Sequence, residues 1–230
     1  YLEKDTNRIL ADQKIVNNVA FESIIKSSNE IITINGFKFD SVDKETLTIT
    51  TGENVINIYY TKVEGLNYTV KYLEKDTNRV LHAPKTEGNQ TFENEIMAED
   101  EIIDIDGFKF DSVDKDKLVI GTGVNEITIY YIKRSDLSYT VKYVDKDTKE
   151  EIHEERLVEE VTFEDEIKAA DEVIDIDGYN FDSTDKETLV ITTGVNQITI
   201  FYTKKNDLSY VVNYLEKDTN DVLHESKLVE

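Results

Sequence analysis

The stretch YTVKYLEKDTNRVL at residues 68–81 decides the fold, because its segment 72–81 recurs with small changes elsewhere in the chain. The later part of this stretch reads YLEKDTNRIL at 1–10, YVDKDTKEEI at 143–152 and YLEKDTNDVL at 214–223, so successive copies start 71 residues apart. A period of this length is too long for one coil of a solenoid and matches the size of a small domain. The sequence therefore predicts a tandem array of small modules.

The module boundaries are placed at short polar segments, GLN before Tyr68 and DLS before Tyr139 and Tyr210, which are interpreted as linkers. This phase gives module 1 (1–67, lacking the first residues of the period), module 2 (68–138), module 3 (139–209) and a partial module 4 (210–230). An alternative phase places the boundaries near residues 18, 89 and 160. Landmarks keep the period without gaps: Phe21, Phe92 and Phe163, and Gly36, Gly107 and Gly178.

One period, taken from module 3, mixes two hydrophobic patterns. Tyr139, Val141 and Tyr143 alternate with polar residues, which is typical of a half-buried strand. In FEDEIKAADE at 163–172 the apolar residues fall at helical spacing, so we expect a short helix. The following segments read as strands joined by Gly-containing turns.

The predicted order of strand, strand, short helix and further strands indicates an α+β, mostly β module. We expect the β-grasp (ubiquitin-like) fold, in which contact between the first and last strands closes the sheet. All-β tandem modules are the alternative.

Composition narrows the classes of function. The chain has 26 Lys+Arg against 49 Asp+Glu, a net charge of −23, which disfavours nucleic acid and anionic membranes as partners. No apolar run approaches the roughly 20 residues that span a bilayer. There is no Cys, which excludes disulfides and thiolate chemistry. Each full module carries one His, too few for a metal cluster or a triad, so we expect no enzyme.

Three segments of each period resemble mucin-binding-protein (MucBP) repeats. These are the opening YTVKYLEKDTNRVL, the central IDGFKF (105–110) and IDGYNF (176–181), and the closing ITIYYIK (127–133) and ITIFYTK (198–204). The resemblance implies β-grasp modules of a Gram-positive cell-wall surface protein, repeated along a stalk that adheres to mucins or other host glycoproteins. The expected location is extracellular, and since no signal peptide or wall-sorting motif is visible, we expect the chain to be an internal piece.

The acidic turns around these glycines are candidates for calcium. Oxygen ligands alternating along a loop suit Ca²⁺, and the candidate carboxylates are Asp104, Asp106, Asp111, Asp175, Asp177 and Asp182. The alternative is a solvated hairpin turn, which the first period favours because Thr33 and Asn35 replace two of the acids. No other cofactor is expected.

One aromatic residue of each closing strand points away from the predicted core, namely Tyr59, Tyr130 and Phe201. Exposed rings can stack on sugars, so these residues are candidate ligand-binding positions. Alternatively, they cover the second face of the sheet under the short helix.

Two functions remain open. The repeats are either an adhesin that binds glycoproteins weakly and gains avidity from repetition, or a non-binding spacer whose negative charge keeps neighbouring copies apart. Neighbouring repeats of the same chain are the other expected partners.

Overall fold

A computed structural model describes all residues from Tyr1 to Glu230, and they form β-strands, turns and short 3₁₀ segments. The chain divides into two compact units, Tyr1–Ile132 and Lys133–Glu230, and each is described by itself. None of the helical segments has the length and apolar character needed to cross a bilayer.

The strands recur with the sequence period. Those of module 1 are β1 (Leu2–Glu3), β2 (Ile24–Lys26), β3 (Phe37–Val42), β4 (Thr46–Thr48) and β5 (Ile58–Lys62). Those of module 2 are β6 (Leu66–Glu74), β7 (Val80–Gln90), β8 (Glu95–Met97), β9 (Phe108–Val113), β10 (Lys117–Val119) and β11 (Glu126–Lys133).

The second half of the chain repeats this order. Module 3 contains β12 (Leu137–Asp145), β13 (Glu151–Val161), β14 (Glu166–Lys168), β15 (Tyr179–Thr184), β16 (Thr188–Val190) and β17 (Gln197–Lys204). Module 4 contains β18 (Tyr210–Leu215) and β19 (Val222–Val229). The 3₁₀ segments are Ser27–Asn29, Ala98–Glu101 and Ala169–Glu172.

Modules 2 and 3 each form one four-stranded and one two-stranded sheet. The larger sheets have the orders β7-β6-β11-β9 and β13-β12-β17-β15, and the smaller sheets pair β8 with β10 and β14 with β16. The first and last strands of each module are central and parallel, which confirms the predicted contact between them. Module 1 has the three-stranded order β1-β5-β3 beside β2-β4, and module 4 is the hairpin β18-β19.

The helix expected at 163–172 does not form. Glu164 has a positive φ of 66°, which a right-handed helix does not accommodate. The residues after it pair instead with β16 and then make the 3₁₀ turn. The β-grasp expectation is therefore not supported, and the all-β alternative is confirmed.

Two of the three segments interpreted as linkers, 65–67 and 136–138, are largely strand, whereas 207–209 precede β18. Strand β6 begins at Leu66 and β12 at Leu137, so each central strand starts before the tyrosine that opens the module. The turns between modules instead fall at 63–65 and 134–136.

The core of each complete module lies between its two sheets. In module 2 the alternate residues Tyr68, Val70 and Tyr72 of β6 are buried beside Ile127 and Ile129 of β11, as period-two burial requires.

A buried tyrosine at the end of each closing strand fastens the irregular segment that crosses the core. The Tyr131 hydroxyl donates to the Ile103 carbonyl at 2.8 Å and accepts from the Ile103 N–H at 3.1 Å. Tyr60 makes the same two bonds to Ile32, and Tyr202 makes them to Ile174.

Candidate functional site

The best-defined site in the chain is the junction between modules 1 and 2. Phe92 of module 2 lies against Gly36 and Phe37 of module 1, with the two phenyl rings edge to face at a centroid distance of 5.5 Å. The Phe92 N–H donates to the Val63 carbonyl at 2.8 Å, and the Thr122 hydroxyl donates to Asn35 Oδ1 at 2.9 Å. Ring contact and hydrogen bonds together hold the two modules in a defined arrangement.

Gly36 is the residue that allows this close approach. Its φ of +80° lies in the left-handed region, and a Cβ added there would overlap the ring carbons of Phe92. Glycine is therefore required twice, for its backbone conformation and for the space that Phe92 occupies.

A group of charges surrounds the ring contact. The Arg8 guanidinium of module 1 donates to both carboxylate oxygens of Glu93, at 2.7 and 3.2 Å, and lies over the Phe37 ring. Lys62 Nζ lies 3.2 Å from the same carboxylate. The hydrogen bonds from Arg8 are the main reason that the pKa of Glu93 is lowered, and Lys62 adds to the effect.

Acidification is expected to weaken this group. Because the pKa of Glu93 is depressed in the folded chain, its contribution to stability is present above its ordinary pKa and is lost as the pH falls through the depressed value. The pair is partly exposed, so Arg8→Gln should lower the melting temperature by a small but measurable amount at neutral pH and leave it unchanged in strong acid.

Melting of the Arg8→Gln and wild-type chains at several pH values measures the difference. The control is Lys38→Gln, because Lys38 pairs with Glu64 at 3.5 Å on a more exposed surface. An Arg8→Gln chain that melts with wild type at neutral pH would contradict the role given to Arg8.

The corresponding surface of module 3 is open. Gly178 has a φ of +78° like Gly36, but no atom lies within 4 Å of a Cβ placed there. A depression of about 600 Å³ lies beside it, lined in part by Asp177, Tyr179 and Lys205. These residues lie two periods after the junction residues Asn35, Phe37 and Val63, respectively. We call this surface the junction socket.

A buried carboxylate network also recurs, and the sequence patterns did not reveal it. In module 2, Glu101 accepts from the Tyr68 hydroxyl and from Lys85 Nζ, each at 2.7 Å. In module 3, Glu172 accepts from the Tyr139 hydroxyl at 2.8 Å and pairs with Arg156. The available signal was the joint recurrence, 71 residues apart, of an acid, a base and a tyrosine.

Alkali is expected to destabilise module 2 through this network. Burial, and next the hydrogen bond to Glu101, raises the pKa of Tyr68 to about 12. The folded chain therefore favours the neutral phenol, and this stabilisation is complete below the ordinary tyrosine pKa and is lost as the pH rises towards 12.

Phenolate absorbance and melting between pH about 10 and 12 test this expectation. Tyr68→Phe should melt lower at neutral pH but should lose less stability over the alkaline range than wild type. An equal alkaline loss in both chains would show that the Tyr68 phenol is not responsible.

The structure does not gather the calcium candidates into a binding group. Asp104 and Asp106 are exposed, and Asp111 forms an ion pair with Lys75 at 2.6 Å. Asp182 similarly pairs with Lys146 at 2.8 Å, while Asp175 and Asp177 line the junction socket. No group of three or more acids or histidines is arranged to hold a metal ion.

The three candidate ligand-binding rings are half-buried on the outer face of the sheet. Phe201 lies opposite Val144 of the neighbouring strand, and Lys149 Nζ lies 4.8 Å from its ring centroid. Tyr59 and Tyr130 hold the equivalent positions in β5 and β11. No helix covers this face, so the predicted cover is absent. None of the three candidate rings lines the junction socket of module 3.

The recurring histidine has a structural environment. His82, His153 and His224 each pack edge to face on a tyrosine of the neighbouring strand, at centroid distances of 5.5, 5.3 and 5.4 Å.

Comparison with known proteins adds little to this geometry. No family model and no curated protein matches the chain. Among solved structures, the chain is similar to domains 3–4 of the Streptococcal High Identity Repeats in Tandem (SHIRT) domains from a cell surface protein. That similarity has 10% identity, covers 61% of this chain and 98% of the other, and has a TM-score of 0.27. A TM-score this low does not establish a shared fold.

Proposed function

We propose that the chain is a structural spacer of tandem modules in a Gram-positive surface protein. The observation that carries the proposal is the junction of modules 1 and 2, where Phe92 fills the surface around Gly36. Contacts of this kind limit the motion between consecutive modules, as a spacer requires. The proposal includes no catalytic activity.

The junction also accounts for the depression beside Gly178 in module 3. The depression at Gly178 combines aromatic, carboxylate and amide groups, as a sugar site would. The same position in module 1 is occupied by Phe92 of the next module, so the groove has a structural explanation as a junction socket.

The surface setting rests on the resemblance of each period to MucBP repeats. The SHIRT domains also come from a cell surface protein, according to their description. A net charge of −23 suits a spacer, because equal charges keep neighbouring copies apart.

Adhesion to mucin is the second candidate, and one observation favours it. Each of modules 1 to 3 exposes a phenylalanine of the strand that neighbours its closing strand in the sheet. These residues are Phe39, Phe110 and Phe181, with exposures of 43, 44 and 50%. Each ring packs edge to face on the core tyrosine beneath it and leaves its other side open to a sugar face.

Retention on immobilised mucin at physiological salt, with and without Ca²⁺, separates the two functions. The spacer proposal predicts no retention in either buffer. Retention that disappears when Phe39, Phe110 and Phe181 are replaced by Ser would overturn it in favour of adhesion. The matched control replaces Tyr59, Tyr130 and Phe201 by Ser, which tests the other aromatic face.

A further inference from the structure

The first and last strands of modules 2 and 3 lie side by side in the middle of the larger sheet. In module 2, β6 and β11 pair in parallel over six residues, from Glu126 opposite Thr69 to Tyr131 opposite Glu74. In module 3, β12 and β17 pair in the same register. All other strands of each module lie between these two strands in the sequence.

The parallel direction of the pair decides how tension loads it. The chain enters module 2 at the start of β6 and leaves it at the end of β11. In a parallel pair these two points lie at opposite ends of the ladder of hydrogen bonds. Tension along the chain therefore pulls the two strands in opposite directions along their length, and all the hydrogen bonds between them are loaded together.

Further hydrogen bonds lengthen the ladder at both ends. In module 2 the Thr69 N–H donates to the Asn125 carbonyl and the Lys75 N–H donates to the Tyr131 carbonyl, each at 2.9 Å. The same two bonds recur in module 3, at 2.9 and 2.8 Å, from Thr140 to Asn196 and from Lys146 to Tyr202.

Neighbouring strands and the core keep water away from this ladder. In module 2, β7 covers the outer edge of β6, and β9 covers the outer edge of β11. On the core face, Val70, Ile127 and Ile129 are fully buried. Hydrogen bonds are stronger in such surroundings than in water. The bonds that tension would have to break are therefore among the best protected in the module.

Short connections carry tension from one module to the next. Residues 63–65 join β5 to β6, and residues 134–136 join β11 to β12. Because these connections have little slack, a pull on the closing strand of one module passes directly to the opening strand of the next.

We propose that the paired first and last strands of modules 2 and 3 form a mechanical clamp that resists tension along the chain. Each module stays folded under load until its ladder ruptures as a unit, and the residues between the two strands then unfold. The resistance depends on the direction of the pull, because forced unfolding is governed by the rate of unfolding and not by equilibrium stability. Its use in a cell rests on the proposed spacer function, since a tethered spacer is stretched when its outer end is held.

Single-molecule pulling between two cysteine handles tests the clamp, because the chain has no Cys of its own. The shear chain carries Glu64→Cys and Ser135→Cys, at exposed residues before β6 and after β11. A pull between these handles loads the whole ladder of module 2. Rupture should occur in one step that releases the chain between Leu66 and Lys133, a contour length on the order of 230 Å.

The matched control moves one handle to the other end of β6. The peel chain carries Asp76→Cys and Ser135→Cys, which lie beyond the C-terminal ends of β6 and β11 at exposed residues. A pull between these handles opens the ladder one pair at a time. Both double variants should melt with the wild-type chain, yet the shear chain should need a force several times higher than the peel chain.

Equal rupture forces in the shear and peel chains would overturn the proposal, and so would a lower force in the shear chain. Retention on mucin is measured without load, so failure of the clamp and failure of the spacer proposal are separate results.

Discussion

Gly36→Ala is expected to destabilise the junction of modules 1 and 2 by about 2–5 kcal/mol. A non-glycine residue in the left-handed region costs about 1–2 kcal/mol. The added methyl group also overlaps the Phe92 ring, and overpacking of this kind costs about 1–3 kcal/mol. Since the ring is rigid, relief requires Phe92 to leave the surface of module 1.

Gly178→Ala is the matched control for this change. Gly178 has nearly the same φ, +78° against +80°, but no neighbour within 4 Å of the added methyl group. Only the backbone cost, about 1–2 kcal/mol, should apply there. Thermal melting measures the loss of stability in each variant. Hydrogen exchange of the Phe92 N–H reports on the junction, and it should accelerate in Gly36→Ala but not in Gly178→Ala. Equal losses in the two variants would show that Phe92 does not pack on Gly36 in solution.

Asn125→Ala is expected to destabilise module 2 by about 2–4 kcal/mol, because several polar groups would lose their partners. The Asn125 side chain is buried, accepts from the Gly121 N–H at 2.7 Å, and donates to the carbonyls of Gly121 and Asn67 at 3.0 Å. It thus closes the hairpin turn and fastens that turn to the start of β6.

Asn54→Ala in module 1 provides the comparison. Asn54 makes the same bonds within its turn, to Thr50 and Gly52, but it is less buried and has no bond to a central strand. The loss should be about 1 kcal/mol smaller than for Asn125→Ala, the value of one hydrogen bond. Chemical denaturation of the two variants measures the difference, and a larger loss for Asn54→Ala would contradict the account.

The sequence was sufficient to predict what depends on pattern within one period. Alternation in YTVKY predicted a half-buried strand, and the 71-residue spacing predicted repeated modules. The contact between the first and last strands was expected as part of a β-grasp fold, and it is present although that fold is not supported. The segment 163–172 was wrongly predicted as a helix, because its apolar spacing suits a helix while the positive φ of Glu164 and pairing with β16 are decided by the tertiary structure.

The repeat pattern identified residues that form the junction but did not show that they are in contact. Phe92 and Gly36 were recognised as landmarks of the period, yet identical spacing cannot show that the phenylalanine of one module packs on the glycine of the preceding one. The network around Glu101 was missed for a similar reason, because Tyr68, Lys85 and Glu101 lie on different elements and only the fold brings them together.

The central claim is that modules 1 and 2 are held in one arrangement by the Phe92 junction. Spin labels at Glu45→Cys and Asp116→Cys, which are exposed and equivalent positions of the two modules, test it by pulsed dipolar spectroscopy. The account predicts a single narrow distance distribution in the otherwise unmodified chain. A broad distribution, of the kind given by two domains on a flexible linker, would contradict it.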